Sequence, residues 1–192
     1  LKNEKIAEKM LMCLEKSKYS KFDRLFLKHR NNEELWDILL QNPVITEDYL
    51  KWQPPENMDK LSISIQKKII KIKPNLIRLA SDELRNDRDY MEELQRQIDS
   101  KEAYDGYEIS VYQNLGSKLS QDKEYLLSIR DKDPLAFLES MKKVQYDDET
   151  VKSFFDEHPS YVRDLPDTLK YNYEYAASLI SRLPAEHITM YC

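Results

Sequence analysis

The sequence predicts an all-α fold built from tandem two-helix repeats of about 25 residues, stacked into a short solenoid-like or compact helical array. Three observations carry that expectation. Six helix-length segments stop at corresponding positions, Pro43, Pro74, Asp99, Pro134, Pro159 and Pro184, spaced 31, 25, 35, 25 and 25 residues apart. A residue able to cap a helix stands twelve positions before every stop. Only two glycines occur, Gly106 and Gly116, and the apolar residues show little strand-like alternation, so a sheet has little support.

Residues 1–30 predict a basic, helical N-terminal cap to the array. They hold nine Lys/Arg against four Asp/Glu, a local charge of +5 in a chain of −5, which leaves −10 for the remainder. The asymmetry invites an acidic partner at this end, although an ordinary solvated helix face is the plainer reading. About six units then fill 31–192, interrupted near 100–120, and the whole is expected to form one α-helical domain over 1–192.

The predicted caps are Asn31, Ser62, Asp87, Asp122, Asp147 and Asn172. Their side-chain oxygens accept from first-turn amides that no helical carbonyl reaches. Two residues later an acid follows in five units, Glu33, Asp89, Glu124, Glu149 and Glu174, where the positive end of the helix dipole favours it. Ser64 takes that place in the sixth.

Core positions come next. Leu35, Met91, Leu126, Val151 and Ala176 stand eight before the stop, and Ile38, Ile69, Leu94, Ile129, Phe154 and Leu179 stand five before it. The three-residue step puts both on one helix face. Gln66 breaks the first series. Proline ends five of the six helices, because it lacks an amide and turns the preceding residue from the α region, and its fixed φ suits the start of the next. Short apolar runs after the stops, such as Leu76–Leu79 and Ala136–Leu138, predict a second, shorter helix in each unit.

The stretches Asn75 through Met91 and Pro159 through Ala176 resemble a family of tandem short helical repeats, a domain of unknown function found in bacterial and protist proteins. The similarity spans about 63–97 and 122–184, and residues 1–30 and 101–120 depart from the pattern. It implies a repeat fold and supplies no catalytic residues. Some members occur in bacteria that deliver proteins into host cells, an association through which the resemblance extends to an effector-like role in a host cytosol.

Candidate binding residues cluster in two places. The interruption carries Tyr104, Tyr107 and Tyr112; insertions in repeat arrays form loops on the binding face, and tyrosine brings large contact area at small entropic cost. A tolerated insertion with locally packed tyrosines is the equal alternative. Lys67 and Lys71 stand one turn apart on a segment that also carries Lys68, Lys73 and Arg78, a spacing able to grip a phosphate or an acidic helix. A third cluster is Tyr171, Tyr173 and Tyr175: alternation by two spreads side chains round a helix, so at least one belongs to the core, and a contact surface for the others is the lesser alternative to ordinary exposed or packed positions.

Catalytic chemistry has little footing. His29, His158 and His187 do not pair at metal-ligand spacing, and Cys13 and Cys192 sit at opposite ends, so neither metal nor cofactor is expected. Cysteine usage points to a reducing, cytoplasmic compartment. No phosphate loop or nucleic-acid reader motif occurs, and no apolar run long enough to insert in a membrane. A start at Leu1 and an end at Tyr191–Cys192 suggest a piece of a longer protein. The leading expectation is a non-catalytic module that binds another protein. The alternatives are a structural spacer, or an accessory or catalytic domain of a larger enzyme with His187 and Cys192 at its chemical end.

Overall fold

The computed structural model describes residues 2–16, 18–50, 53–100 and 110–184. Among these the chain is helical without a strand. It forms two compact units, 1–119 and 120–192.

In the first unit, α1 (Lys2–Glu15), α2 (Tyr19–Lys28) and α3 (Glu33–Leu40) pack together. A π-helical turn follows at Val44–Tyr49 and a 3-10 turn at Met58–Lys60. Then come α4 (Ile63–Ile72), a 3-10 segment (Pro74–Leu79), α5 (Asp82–Arg85) and α6 (Arg88–Asp99). The second unit holds α7 (Lys123–Ile129), α8 (Pro134–Ser140), α9 (Asp148–Glu157), a 3-10 segment (Pro159–Asp164), α10 (Asp167–Lys170) and α11 (Tyr173–Ile180).

Five helices begin at the expected caps. Ser62, Asp87, Asp122, Asp147 and Asn172 accept from the amides of Ile65, Tyr90, Tyr125, Thr150 and Tyr175. The first differs by one residue. Asn32, not Asn31, caps α3, accepting from Leu35 N at 3.0 Å. The shift has a packing cause: it turns Leu35, Trp36 and Leu39 into the interior and leaves Ile38 half-buried, while the Trp36 indole donates to Arg30 O. Ser81 and Asp133 cap α5 and α8 in the same manner.

The prolines both stop and start helices. Pro74 and Pro159 open the 3-10 segments and Pro134 opens α8, since the amide each lacks has no partner in a first turn. Residues 62–85 and 147–170 thus follow the same order of long helix, 3-10 segment and short helix. The late apolar positions Ile69, Leu94, Ile129, Phe154 and Leu179 are all buried, whereas Val151 and Ala176 of the earlier series are half-buried.

Gln66, the residue that breaks the apolar series, is fully buried. Its amide donates to Leu61 O at 2.7 Å and accepts from Ser81 N at 2.8 Å. A polar side chain is tolerated there because it satisfies backbone groups at both ends of its unit that would otherwise be stranded.

Residues 110–119, part of the interruption, are pinned onto α5. Asp82 accepts from Ser117 N and Oγ at 2.7 and 2.6 Å, and Asn86 Oδ1 accepts from the amides of Lys118 and Leu119. Gly116 N donates to Arg85 O. A Cβ at Gly116 would lie 2.5 Å from Asn86 Cγ, so the close approach requires glycine. The core of the N-terminal helices is aromatic: Phe22 meets Tyr49 at 4.5 Å between centroids and Phe26 stands edge-on to Trp36. The Tyr49 hydroxyl donates to the buried carboxylate of Asp23.

Two outcomes are expected. Gln66→Leu keeps the volume but strands Leu61 O and Ser81 N, so urea unfolding followed by tryptophan fluorescence should show a loss of roughly 2–4 kcal/mol with an unchanged slope. Burial raises the Asp23 pKa above 3.8, against the lowering effect of its Tyr49 hydrogen bond. Its contribution is therefore fully present below 3.8 and is lost as pH rises through the elevated value. Asp23→Asn keeps an acceptor for Tyr49 and removes the titration. Wild type should lose stability relative to that variant as pH rises through this window; parallel pH profiles would contradict the assignment.

Candidate interaction surface

At the end of the second unit, Tyr171 closes α10, Asn172 caps α11 and Tyr173 is its first residue. Tyr175, whose amide donates to the Asn172 cap, points inward with Leu179. Its hydroxyl donates to Lys152 O at 3.1 Å, and the Lys152 ammonium stands 5.3 Å from the ring centroid. Burial, then the charge of Asp156, pushes the phenol up to about 12, so it remains a donor at neutral pH. Arg182 holds Asp156 at 3.4 Å and its carbonyl at 3.2 Å. With α11 seated in this way, Tyr171 and Tyr173 are left outside, 70% and 78% exposed. The two-residue alternation has the outcome its geometry requires: one tyrosine in the core, two in water.

The other expected binding residues have different settings. Lys67 and Lys71 do stand one turn apart on α4. Lys67 is half-buried, its ammonium 3.3 Å from Asp87 Oδ2 and 4.6 Å from the Tyr90 centroid, so it ties α4 to the start of α6. Its neighbour Lys68 lies 3.0 Å from Asp37 of α3. Lys71 is exposed. Tyr112 is 7% exposed and belongs to the interior. Tyr104 and Tyr107 lie outside the described residues, as do His187 and Cys192.

The lysine–tyrosine contact recurs. Lys67 over Tyr90 and Lys152 over Tyr175 occupy corresponding positions, five residues after one cap and three after the next. Lys123 stands 5.5 Å from the Tyr146 ring and 3.6 Å from Asp147. A cation over a π-face is worth about 0.5–1 kcal/mol where solvent reaches it. The spacing was available in the sequence, but its partners lie in successive helices and no local pattern joins them.

One cluster was not legible at all. Asp131, Glu157 and His158 offer ligand atoms within 4.8 Å of one another, a set that could hold a metal ion. A cation is already there: Arg130 donates to Asp131 at 3.0 Å, to Glu157 at 2.8 Å and to Ser153 at 3.3 Å. Any metal would have to displace a guanidinium that both carboxylates share, and an exposed site repays that poorly. His158 caps the C-terminus of α9, its ring 4.9 Å from Phe154, with Nε2 buried and without a hydrogen-bond partner. The arrangement is an ion-pair clasp between the end of α7 and α9.

Among the described residues no helix is long and apolar enough to cross a membrane. No family model, curated protein or solved structure matches the chain.

Proposed function

We propose that the chain is a non-catalytic protein-binding module whose contact surface is centred on Tyr171 and Tyr173. The observation that carries the reading is their exposure, 70% and 78%, on either side of a capped helix start. Each ring leaves a large apolar face in water, and tyrosine is the residue type that binding surfaces enrich because it brings area and a hydroxyl with only two side-chain torsions. The scaffold beneath is fixed: the Asn172 cap, the Tyr175 hydroxyl and the Arg182–Asp156 pair hold α11 in one orientation. Binding through preordered side chains costs less conformational entropy than binding through a loose segment.

The surface is centred on the last helix because Tyr112 is interior and Lys67 is engaged with Asp87, while Tyr104 and Tyr107 lie outside the described residues. Lys71 remains exposed and available to a partner. The experiment is a proximity cross-linking screen that identifies partners, followed by titration of the purified partner against wild type and Tyr171→Ser/Tyr173→Ser. The double variant should bind at least tenfold more weakly, with each anchor contributing about 1–2 kcal/mol, and its circular dichroism should be unchanged. Equal affinity would remove this surface from the reading.

A further inference from the structure

The N-terminal helices carry an unbalanced charge that the interaction surface above does not use. All nine Lys/Arg of residues 2–30 are exposed, seven of them lysines. None forms an ion pair with a carboxylate among the described residues. Of the four acids in the segment, Asp23 is buried, so the surface excess is larger than the sequence sum.

The helical geometry orders these charges. At 100° per residue, Lys2, Lys5, Lys9 and Lys16 fall in a stripe about 60° wide along α1 and its following turn. Met12 borders this stripe, between Lys9 and Lys16 along the axis, and is 50% exposed. Glu4, Glu8 and Glu15 fall on a face rotated by roughly 100°, and the buried Ala7, Met10 and Leu14 on a third. On α2, Lys21, Arg24 and Lys28 likewise line one exposed side, away from the buried Phe22 and Phe26, and the exposed Lys18 precedes the helix. Residues 31–119 of the same unit hold 12 Lys/Arg against 17 Asp/Glu, a sum of −5.

We propose that α1 and α2 hold the chain against an anionic lipid surface by electrostatic attraction, without insertion. Lysine is a compact, strongly hydrated charge suited to a diffuse anionic layer, whereas defined carboxylates and phosphates are read by the bidentate fork of arginine. A linear stripe fits a plane. The apolar faces of α1 and α2 are already used inside the unit, so the contact is made by lysine tips. The acidic surplus of 31–119 is repelled by the same surface and favours an orientation with the N-terminal helices down.

The test is sedimentation of the intact chain with vesicles of phosphatidylcholine alone and of phosphatidylcholine containing phosphatidylserine. Wild type should partition only into the second, and the partition coefficient should fall steeply with added salt. Lys5→Gln/Lys9→Gln/Lys16→Gln should lower it by about a hundredfold. The control Lys118→Gln/Lys132→Gln/Lys143→Gln removes the same charge from exposed sites elsewhere and should leave it within about threefold of wild type. Equal partition into both vesicles, or equal losses in the two variants, would overturn the proposal. So would binding to soluble polyglutamate with no binding to anionic vesicles, which would assign the stripe to an acidic polypeptide.

Discussion

Among the described residues, the helices after α1 run to twelve residues at most, and a short helix has to be told where to begin. Isolated segments of seven to twelve residues, the lengths of α3, α4, α6, α7, α9 and α11 apart from their packing, are marginal in water. A side-chain oxygen at the N-cap satisfies an amide that the helix itself leaves open, worth about 1 kcal/mol. It also sets the phase of the helix, and hence which residues turn inward. Everything further in follows from that phase: Ile69, Leu94, Ile129, Phe154 and Leu179 each stand seven residues after a cap, and each is buried.

The caps were readable in advance because their chemistry is local. Ser, Asp or Asn before a helical apolar pattern needs no knowledge of the rest of the fold, and five of six lie where spacing puts them. The sixth shows the limit. Asn31 and Asn32 are equally good caps, and the choice between them was made by the burial of Trp36 and its bond to Arg30 O, a tertiary fact. Gln66 shows the same limit from the other side: as a sequence it is a defect in the pattern, and only the positions of Leu61 O and Ser81 N reveal it as a staple.

Functional surfaces were less legible than helices. That one of three alternating tyrosines must be core followed from helical geometry, but which one depended on Lys152, a helix away. Tyr112 reads as a loop residue in an interrupted repeat, yet residues 110–119 are fastened to α5 by Asp82 and Asn86 and its ring is interior. Lys67 and Lys71 look alike on one helix face, and Asp87 with Tyr90 separates them. The clasp of Arg130 with Asp131 and Glu157 joins residues 27 apart, a separation that no local signal marks. Contacts within a helix turn were visible; contacts between helices were not.

Amide hydrogen exchange, read residue by residue in the intact chain, tests most directly whether the caps set the fold. The amides of Ile65, Tyr90, Tyr125, Thr150 and Tyr175 have no helical acceptor, so any slowing reports the cap oxygen alone. The account predicts that each exchanges at least about tenfold more slowly than in an unfolded peptide, and that Asp122→Ala removes the protection at Tyr125. Exchange at unfolded-chain rates at these five amides, with the helix interiors still protected, would contradict it.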